Sequence, residues 1–221
     1  MRERNDCMRN EGKPLIVKPV SLSEQAYQII KEEIITNKIK AGEILTEEQL
    51  ASELQISRTP IRTALKQLVM EHLATVNENK NVVVSNVTEQ DVRNVSTVRM
   101  VLEPLAVKLI EDVTDKQIKD LRRIIKSQRD ARSYEEFLRG EHDFHTHLAA
   151  LANNTFLYDM IERTNIVVER YLVLSGTLAK HSSEAVDEHE RIVDCLEAKD
   201  FKGAKQALEE HLLHVEERMF V

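Results

Sequence analysis

After residue 22, apolar side chains recur at helical spacing along most of the chain. Ala26, Ile29, Ile30 and Ile34 lie on one face, with Ser23 placed to cap that helix and Asn37 to Gly42 placed to end it. A second, shorter helix is expected from Thr46 as cap, Glu47 and Glu48 in the first turn, and Leu50, Ala51 and Leu54 on one side. Ser57 can cap a third, which runs to about Glu71; Pro60 is tolerated in its first turn, where the missing N–H has no intrahelical partner. Between Ala74 and Ser85 the period changes. Thr75-Val76 and Val82-Val83-Val84 read as strands around the polar loop Asn77 to Asn81, a hairpin that forms a wing. Beyond Thr88, itself a cap, helical periodicity continues with breaks near Asp112–Thr114, Ser133, Asn153, Lys180–Ser183 and Lys199–Asp200, giving about six helices. The expected fold is mainly α: a winged helix-turn-helix over 21–86, then an all-α helical bundle over 88–221.

Composition agrees with that division. A chain of 221 residues exceeds the ~100–200 typical of one domain, and 31% charged residues with 5 Gly and 4 Pro suit solvated helices better than a turn-rich β fold. No apolar run approaches the ~20 residues that span a bilayer, so no membrane segment is expected. Residues 1–13 lack the apolar stretch of a secretion signal, and residues 1–20 read as a disordered tail on a cytoplasmic protein. Cys7 and Cys195 are too few and too differently placed for a disulfide framework or a thiolate zinc site, which fits a reducing compartment. The sequons at Asn86, Asn94 and Asn153 are then chance matches.

Charge separates the halves further. Residues 1–87 hold 12 basic and 12 acidic side chains, so the net charge of −7 belongs wholly to 88–221. Seven of the 8 histidines also lie there, His72 being the exception. In the first half, Arg58, Arg62 and Lys66 recur every four residues along one face of the third helix, with no acidic residue from 57 to 68. The opposite face, Ile61, Leu65, Leu68 and Val69, can dock the helix with its cations outward. Such a helix, after a short helix and a tight turn at Gln55-Ile56-Ser57 and before a hairpin, is built to enter the major groove of double-stranded DNA.

These residues carry a resemblance. Tyr27 through Ile34, Gly42, Leu45, Leu50-Ala51-Ser52-Glu53-Leu54 and Ser57-Arg58-Thr59-Pro60-Ile61-Arg62-Thr63-Ala64-Leu65 to Leu68 resemble the DNA-binding domain of the GntR family of bacterial transcription regulators. The resemblance implies a homodimer on a pseudo-palindromic operator, most simply as a repressor. Arg58, Thr59 and Arg62 would meet bases or phosphates, helped by Ser57 and Lys66, with Lys80 and Asn81 at the wing tip near the minor groove. Three positions depart from the family's pattern. Gln55 and Asn81 stand where it usually has Gly, and Asn81 is the milder change because Asn tolerates a left-handed backbone. Glu48 stands where some relatives have a DNA-contacting Arg, so that contact is not expected here.

In the second half, the apolar stripe Phe137, Phe144, Leu148 and Leu151 carries Glu141 and His145 on or beside it. His189 lies on the stripe of Val186, Val193 and Leu196, and His211 in the row of Ala204, Leu208 and Val215. Buried together, these four ionisable groups must pair or share a cation, and three imidazoles with one carboxylate suit a divalent metal that keeps positions for water or an anion. Taken alone, each His reads more readily as a hydrogen-bonded core residue than as a ligand.

Residues 88–217 resemble the helical FCD effector domain of the FadR branch of the family, on Phe144-His145 with Leu148 and Asn153, His189-Glu190-x-Ile192-Val193, and Ala204 through His211-Leu212. About six helices match the VanR-like subgroup. The resemblance implies metal ligands at Glu141, His145, His189 and His211, with zinc the expected ion and nickel or manganese alternatives. Glu141 replaces the usual Asp, so the ion could sit shifted or be bound through water, with room left by Gly140; His142 and His214 are reserve ligands. The implied effector is a small carboxylate, paired with Arg99 or, second, Arg170, although Arg99 can equally form an ion pair with Glu103. The expectation is a ligand-responsive regulator without enzymatic activity. Its rivals are a metal-dependent helical-bundle enzyme and a DNA-binding protein whose second half only dimerises.

Overall fold

The structure, a computed structural model, describes residues 20–177 and 182–220. The expected tail, Cys7 within it, and the start of the break at Lys180–Ser183 lie outside the described residues. The N-terminal unit holds α1 (Leu22–Ile35), β1 (Ile44–Leu45), α2 (Glu47–Glu53), α3 (Arg58–Met70), β2 (Ala74–Val76) and β3 (Val82–Val84). Its cap is Ser21, whose hydroxyl accepts from the Glu24 amide; Ser23 already lies inside α1. Thr46 caps α2 through its side chain, whereas Ser57 is the N-cap of α3 by backbone only, with no side-chain hydrogen bond. That leaves its hydroxyl available at the start of the basic helix. The wing strands pair antiparallel, with Thr75 opposite Val83, and β1 adds to the other edge of β3, Ile44 opposite Val83. The sequence pattern gave no sign of so short a strand. Ala26, Tyr27, Ile30 and Ile34 of α1 pack on Ile61, Ala64, Leu65 and Leu68 of α3, the apolar face opposite the arginines.

Two departures from glycine have different outcomes. Gln55 adopts φ +55°, the left-handed backbone that a β-carbon disfavours. Gln55→Gly is expected to stabilise the protein by about 0.5 kcal/mol once the greater chain entropy of glycine is subtracted, seen as a melting temperature about 1–2 °C higher. A lower melting temperature would show that the side chain contributes more than its strain. At the wing tip the left-handed residue is Lys80, φ 62°, and not Asn81. The Lys80 amide donates to the Asn77 carbonyl and the Asn81 amide to Asn77 Oδ1, so Asn77 closes the loop.

The C-terminal unit consists of α4 (Glu89–Lys108), α5 (Asp115–Arg129), α6 (Tyr134–Ala150), α7 (Thr155–Ser175), α8 (Ser182–Glu197) and α9 (Phe201–Met219). Thr88 and Thr114 close capping boxes with Asp91 and Gln117. Helix α4 packs between α7 and α9, α6 between α5 and α7, and α8 between α5 and α9, which closes a bundle around Phe144, Leu148, Val193 and Leu208. Among the described residues no helix is long and apolar enough to cross a membrane.

Helix α7 belongs to both units. Ile166 is buried in the core of the N-terminal unit, Glu162 pairs with Lys31 of α1 at 3.3 Å, and Arg170 donates to the Ser85 carbonyl at 2.7 Å. Arg139 of α6 adds a bond to Glu32 at 2.8 Å.

Candidate functional site

Glu141 and His145 are one helical turn apart on α6, and His189 and His211 reach them from α8 and α9. One ligand atom from each lies within 4.8 Å of the others, and all four residues are buried. The Nε2 atoms of His145 and His211 are 3.2 Å apart and those of His189 and His211 3.3 Å. Glu141 Oε1 lies 3.3, 3.7 and 3.5 Å from the Nε2 atoms of His145, His189 and His211. A tetrahedral ion bound at about 2.0 Å needs ligand atoms about 3.3 Å apart, close to these five separations, so the four residues could hold a metal ion.

The opposite nitrogens show how the rings are aimed. His145 Nδ1 is 2.6 Å from Glu103 Oε2, His189 Nδ1 is 2.9 Å from Gln128 Oε1, and His211 Nδ1 is 2.8 Å from Glu188 Oε2. Each acceptor takes an Nδ1–H, which turns the Nε2 lone pair inward. Gln128 also donates to Glu141 Oε2 at 2.7 Å, so one amide orients two ligands. It can do so because α5 crosses Gly140 closely: a β-carbon there would lie 2.7 Å from Gln128 Cβ. The room left by Gly140 is thus used by α5.

The electrostatics favour positive charge at the centre. Burial keeps His189 well below the usual histidine range, hence neutral. Burial opposes charge on Glu141, but the imidazoles of His189, His145 and His211 outweigh it and hold the carboxyl well below its usual range. Burial likewise opposes charge on His211, and bonds to Glu141 and Glu188 overcome it, raising its pKa. Glu103 is buried too, but Arg99 and then His145 bring it down to about 2. The Glu141 carboxylate therefore favours a positive charge among the rings, which a protonated His211 or a bound cation can supply. A divalent ion held here would supply that charge and, as a Lewis acid, a place for an anionic ligand.

Arg99 lies beside this centre, its Nε donating to Glu103 Oε1 at 2.5 Å, so the ion pair is formed. It still lines a cavity of about 20 Å³ together with Glu141, His145, Asn165 and Glu169. Arg170, the second candidate, donates to the Ser85 carbonyl and is not among the residues that line that cavity. Of the reserve ligands, His142 faces Glu169 at 3.3 Å and His214 bonds Glu188 at 2.8 Å, both outside the ligand set. Sequence reasoning missed Gln128, Glu188 and Asn165. Glu188 had a signal, as the acidic neighbour of His189 in the chain; Gln128 and Asn165 had none.

In the N-terminal unit, Ser57, Arg58, Thr59, Arg62 and Lys66 are exposed along α3. A groove of about 730 Å³ runs between α3 and the wing, with Arg62 and Lys66 on one wall and Lys80 and Asn81 on the other. Arg62 grips Glu47 by two bonds of 2.7 Å, and Arg58 pairs with Glu48 at 3.2 Å. The Glu47 fork fixes the Arg62 plane and leaves its remaining donors for a ligand.

Comparison with known proteins agrees with both units. The model for bacterial regulatory proteins of the gntR family matches residues 22–84, and the FCD domain model matches residues 94–214. The chain is 28% identical over 202 residues to the uncharacterized HTH-type transcriptional regulator YdhC of Bacillus subtilis, covering 89% of this chain and 90% of that one. It is 24% identical over 200 residues to the HTH-type transcriptional repressor RspR of Escherichia coli, covering 89% and 88%. In fold it is similar to the solved structure of E. coli McbR/YncC, with TM-score 0.78 at 24% identity over 89% of this chain and 95% of that one. With a basic helix and wing at one end and an FCD bundle at the other, the chain belongs to the GntR family as a DNA-binding transcriptional regulator.

Proposed function

We propose that this protein is a homodimeric repressor in the cytoplasm that holds a divalent metal, zinc first among candidates, through Glu141, His145, His189 and His211, and senses a small carboxylate there. The observation that carries this reading is the convergence of four buried ligand atoms within 4.8 Å. The carboxylate completes the ion's coordination and takes a charge-assisted bond from Arg99. Ser57, Arg58, Thr59, Arg62, Lys66, Lys80 and Asn81 read operator DNA.

Helix α7 supplies a route between the sites. Val168 and Glu169 line the cavity, while Ile166 and Arg170 on the neighbouring face hold the DNA-binding unit. A carboxylate that shifts α7 changes how the two reading heads are set, and ~1–3 kcal/mol of coupling suffices for regulation.

The full-length protein, purified without chelator, is expected to carry close to one first-row metal per chain by elemental analysis. A panel of small carboxylates is then expected to raise the melting temperature of the loaded protein and not of the chelated one. Absence of metal, or identical shifts with and without it, counts against the proposal.

A further inference from the structure

Gln128 is 2% exposed in the last turn of α5, and both ends of its amide are engaged by members of the ligand cluster on other helices. Nε2 donates to Glu141 Oε2 on α6 at 2.7 Å, and Oε1 accepts from His189 Nδ1 on α8 at 2.9 Å. The two contacts lock the amide. Turned over, it would set Nε2 against the Nδ1–H of His189, donor to donor, and Oε1 against the carboxylate, acceptor to acceptor. Neither bond can be exchanged while the other stands. The backbone is committed to the same contact, since only a glycine at 140 lets α5 come so near α6.

We propose that Gln128 is a positioning residue that restrains Glu141 to one coordinating oxygen, and that it thereby selects a zinc-like ion of low coordination number over an oxygen-seeking, six-coordinate ion such as manganese. This deepens the metal reading above and rests on it. A carboxylate with both oxygens free can close on an ion as a bidentate ligand, which suits large coordination shells rich in oxygen. Here it is Oε1 that lies 3.3, 3.7 and 3.5 Å from the Nε2 atoms of His145, His189 and His211, while Oε2 is held by the amide of α5. The cluster then offers three nitrogens and one oxygen, which satisfies a four-coordinate ion and leaves a six-coordinate one short of ligands. The same amide fixes the His189 proton on Nδ1 and so leaves the Nε2 lone pair free. Phe144, stacked on that ring with centroids 3.8 Å apart, holds its plane independently of Gln128. The restraint on Glu141 can therefore be removed by substitution without releasing the ring.

The test compares zinc, manganese and cobalt(II) on the full-length wild type, Gln128→Glu and Gln128→Met. Gln128→Glu keeps an acceptor for His189 and replaces the N–H that holds Oε2 with an oxygen that repels it. Gln128→Met removes both bonds with an apolar side chain of similar length, and keeps a folded protein to measure if the added buried charge is not tolerated. In competition against a chelating dye, the preference for zinc over manganese is expected to be ~10-fold or more smaller in each variant than in the wild type. Loss of an outer partner of a metal ligand costs ~10–100-fold in affinity, and the freed oxygen returns part of that to manganese. The cobalt-loaded wild type is expected to show the strong visible absorption of a four- or five-coordinate ion, and the variants a weaker one as the coordination number rises. A smaller zinc preference with an unchanged cobalt spectrum traces the effect to His189 and overturns the assignment to Glu141. Zinc and manganese weakened equally, or not at all, mark Gln128 as structural and also overturn it, leaving the metal reading standing. Failure of the wild type to bind any of the three ions overturns both readings.

Discussion

His189→Ala is expected to lose the bound metal and lower the melting temperature by about 10 °C. The ring sits where three helices meet: Nε2 lies 3.3 Å from that of His211 on α9 and 3.7 Å from Glu141 on α6, and Nδ1 bonds Gln128 on α5. An ion present at ~1,000 times its dissociation constant stabilises the native state by about 4 kcal/mol. In a chain of this length each kcal/mol moves the transition by about 2–4 °C. Phe144, stacked on the imidazole with centroids 3.8 Å apart, also loses its neighbour, so part of the fall reflects a cavity. His214→Ala is the control for loss of an imidazole outside the cluster. Its Nδ1 bonds Glu188 outside the ligand set, so it is expected to keep full metal and melt within about 2 °C of the wild type. Full metal content in His189→Ala by elemental analysis would exclude His189 as a ligand.

Arg62→Ala is expected to weaken operator binding by about 100-fold while leaving metal content unchanged. The guanidinium is exposed on the outer face of α3 and oriented by Glu47, and a bidentate contact to a base is worth ~1–3 kcal/mol in addition to its phosphate attraction. The logarithmic salt dependence of binding is expected to fall by about one unit if Arg62 meets phosphate, and specificity to relax at one base pair if it meets a base. Unchanged affinity in a gel shift at physiological salt, with an operator fragment selected from random duplexes, counts against the assignment. Glu47→Gln is the informative companion. Loss of affinity there, with Arg62 intact, shows that the carboxylate positions the guanidinium; a gain shows that it competes with DNA.

Both sites were legible along the chain because each relies on a period. Arg58, Arg62 and Lys66 recur every four residues opposite Ile61, Leu65 and Leu68, so the same repeat that buries one face exposes the other. Glu141 with His145, and His189 and His211 on their stripes, face inward for the same reason. Strand β1 was not legible, since two residues hold no period; it exists because the edge of β3 offers unpaired backbone groups. Likewise, periodicity counted from Ala26 placed the cap at Ser23, whereas Leu22 already belongs to α1 and Ser21 caps it.

Local sequence determined the elements, their caps, the cationic face and the inward side of each histidine, because these depend on neighbours within about one helical turn. The tertiary structure decided which acceptor aims each imidazole, that Arg170 bonds the Ser85 carbonyl, that Glu47 bonds Arg62, and that Asn165 is buried without a hydrogen bond from the protein. Those contacts join residues from different elements, and their distances are set by how the elements pack against one another, which a one-dimensional period does not encode.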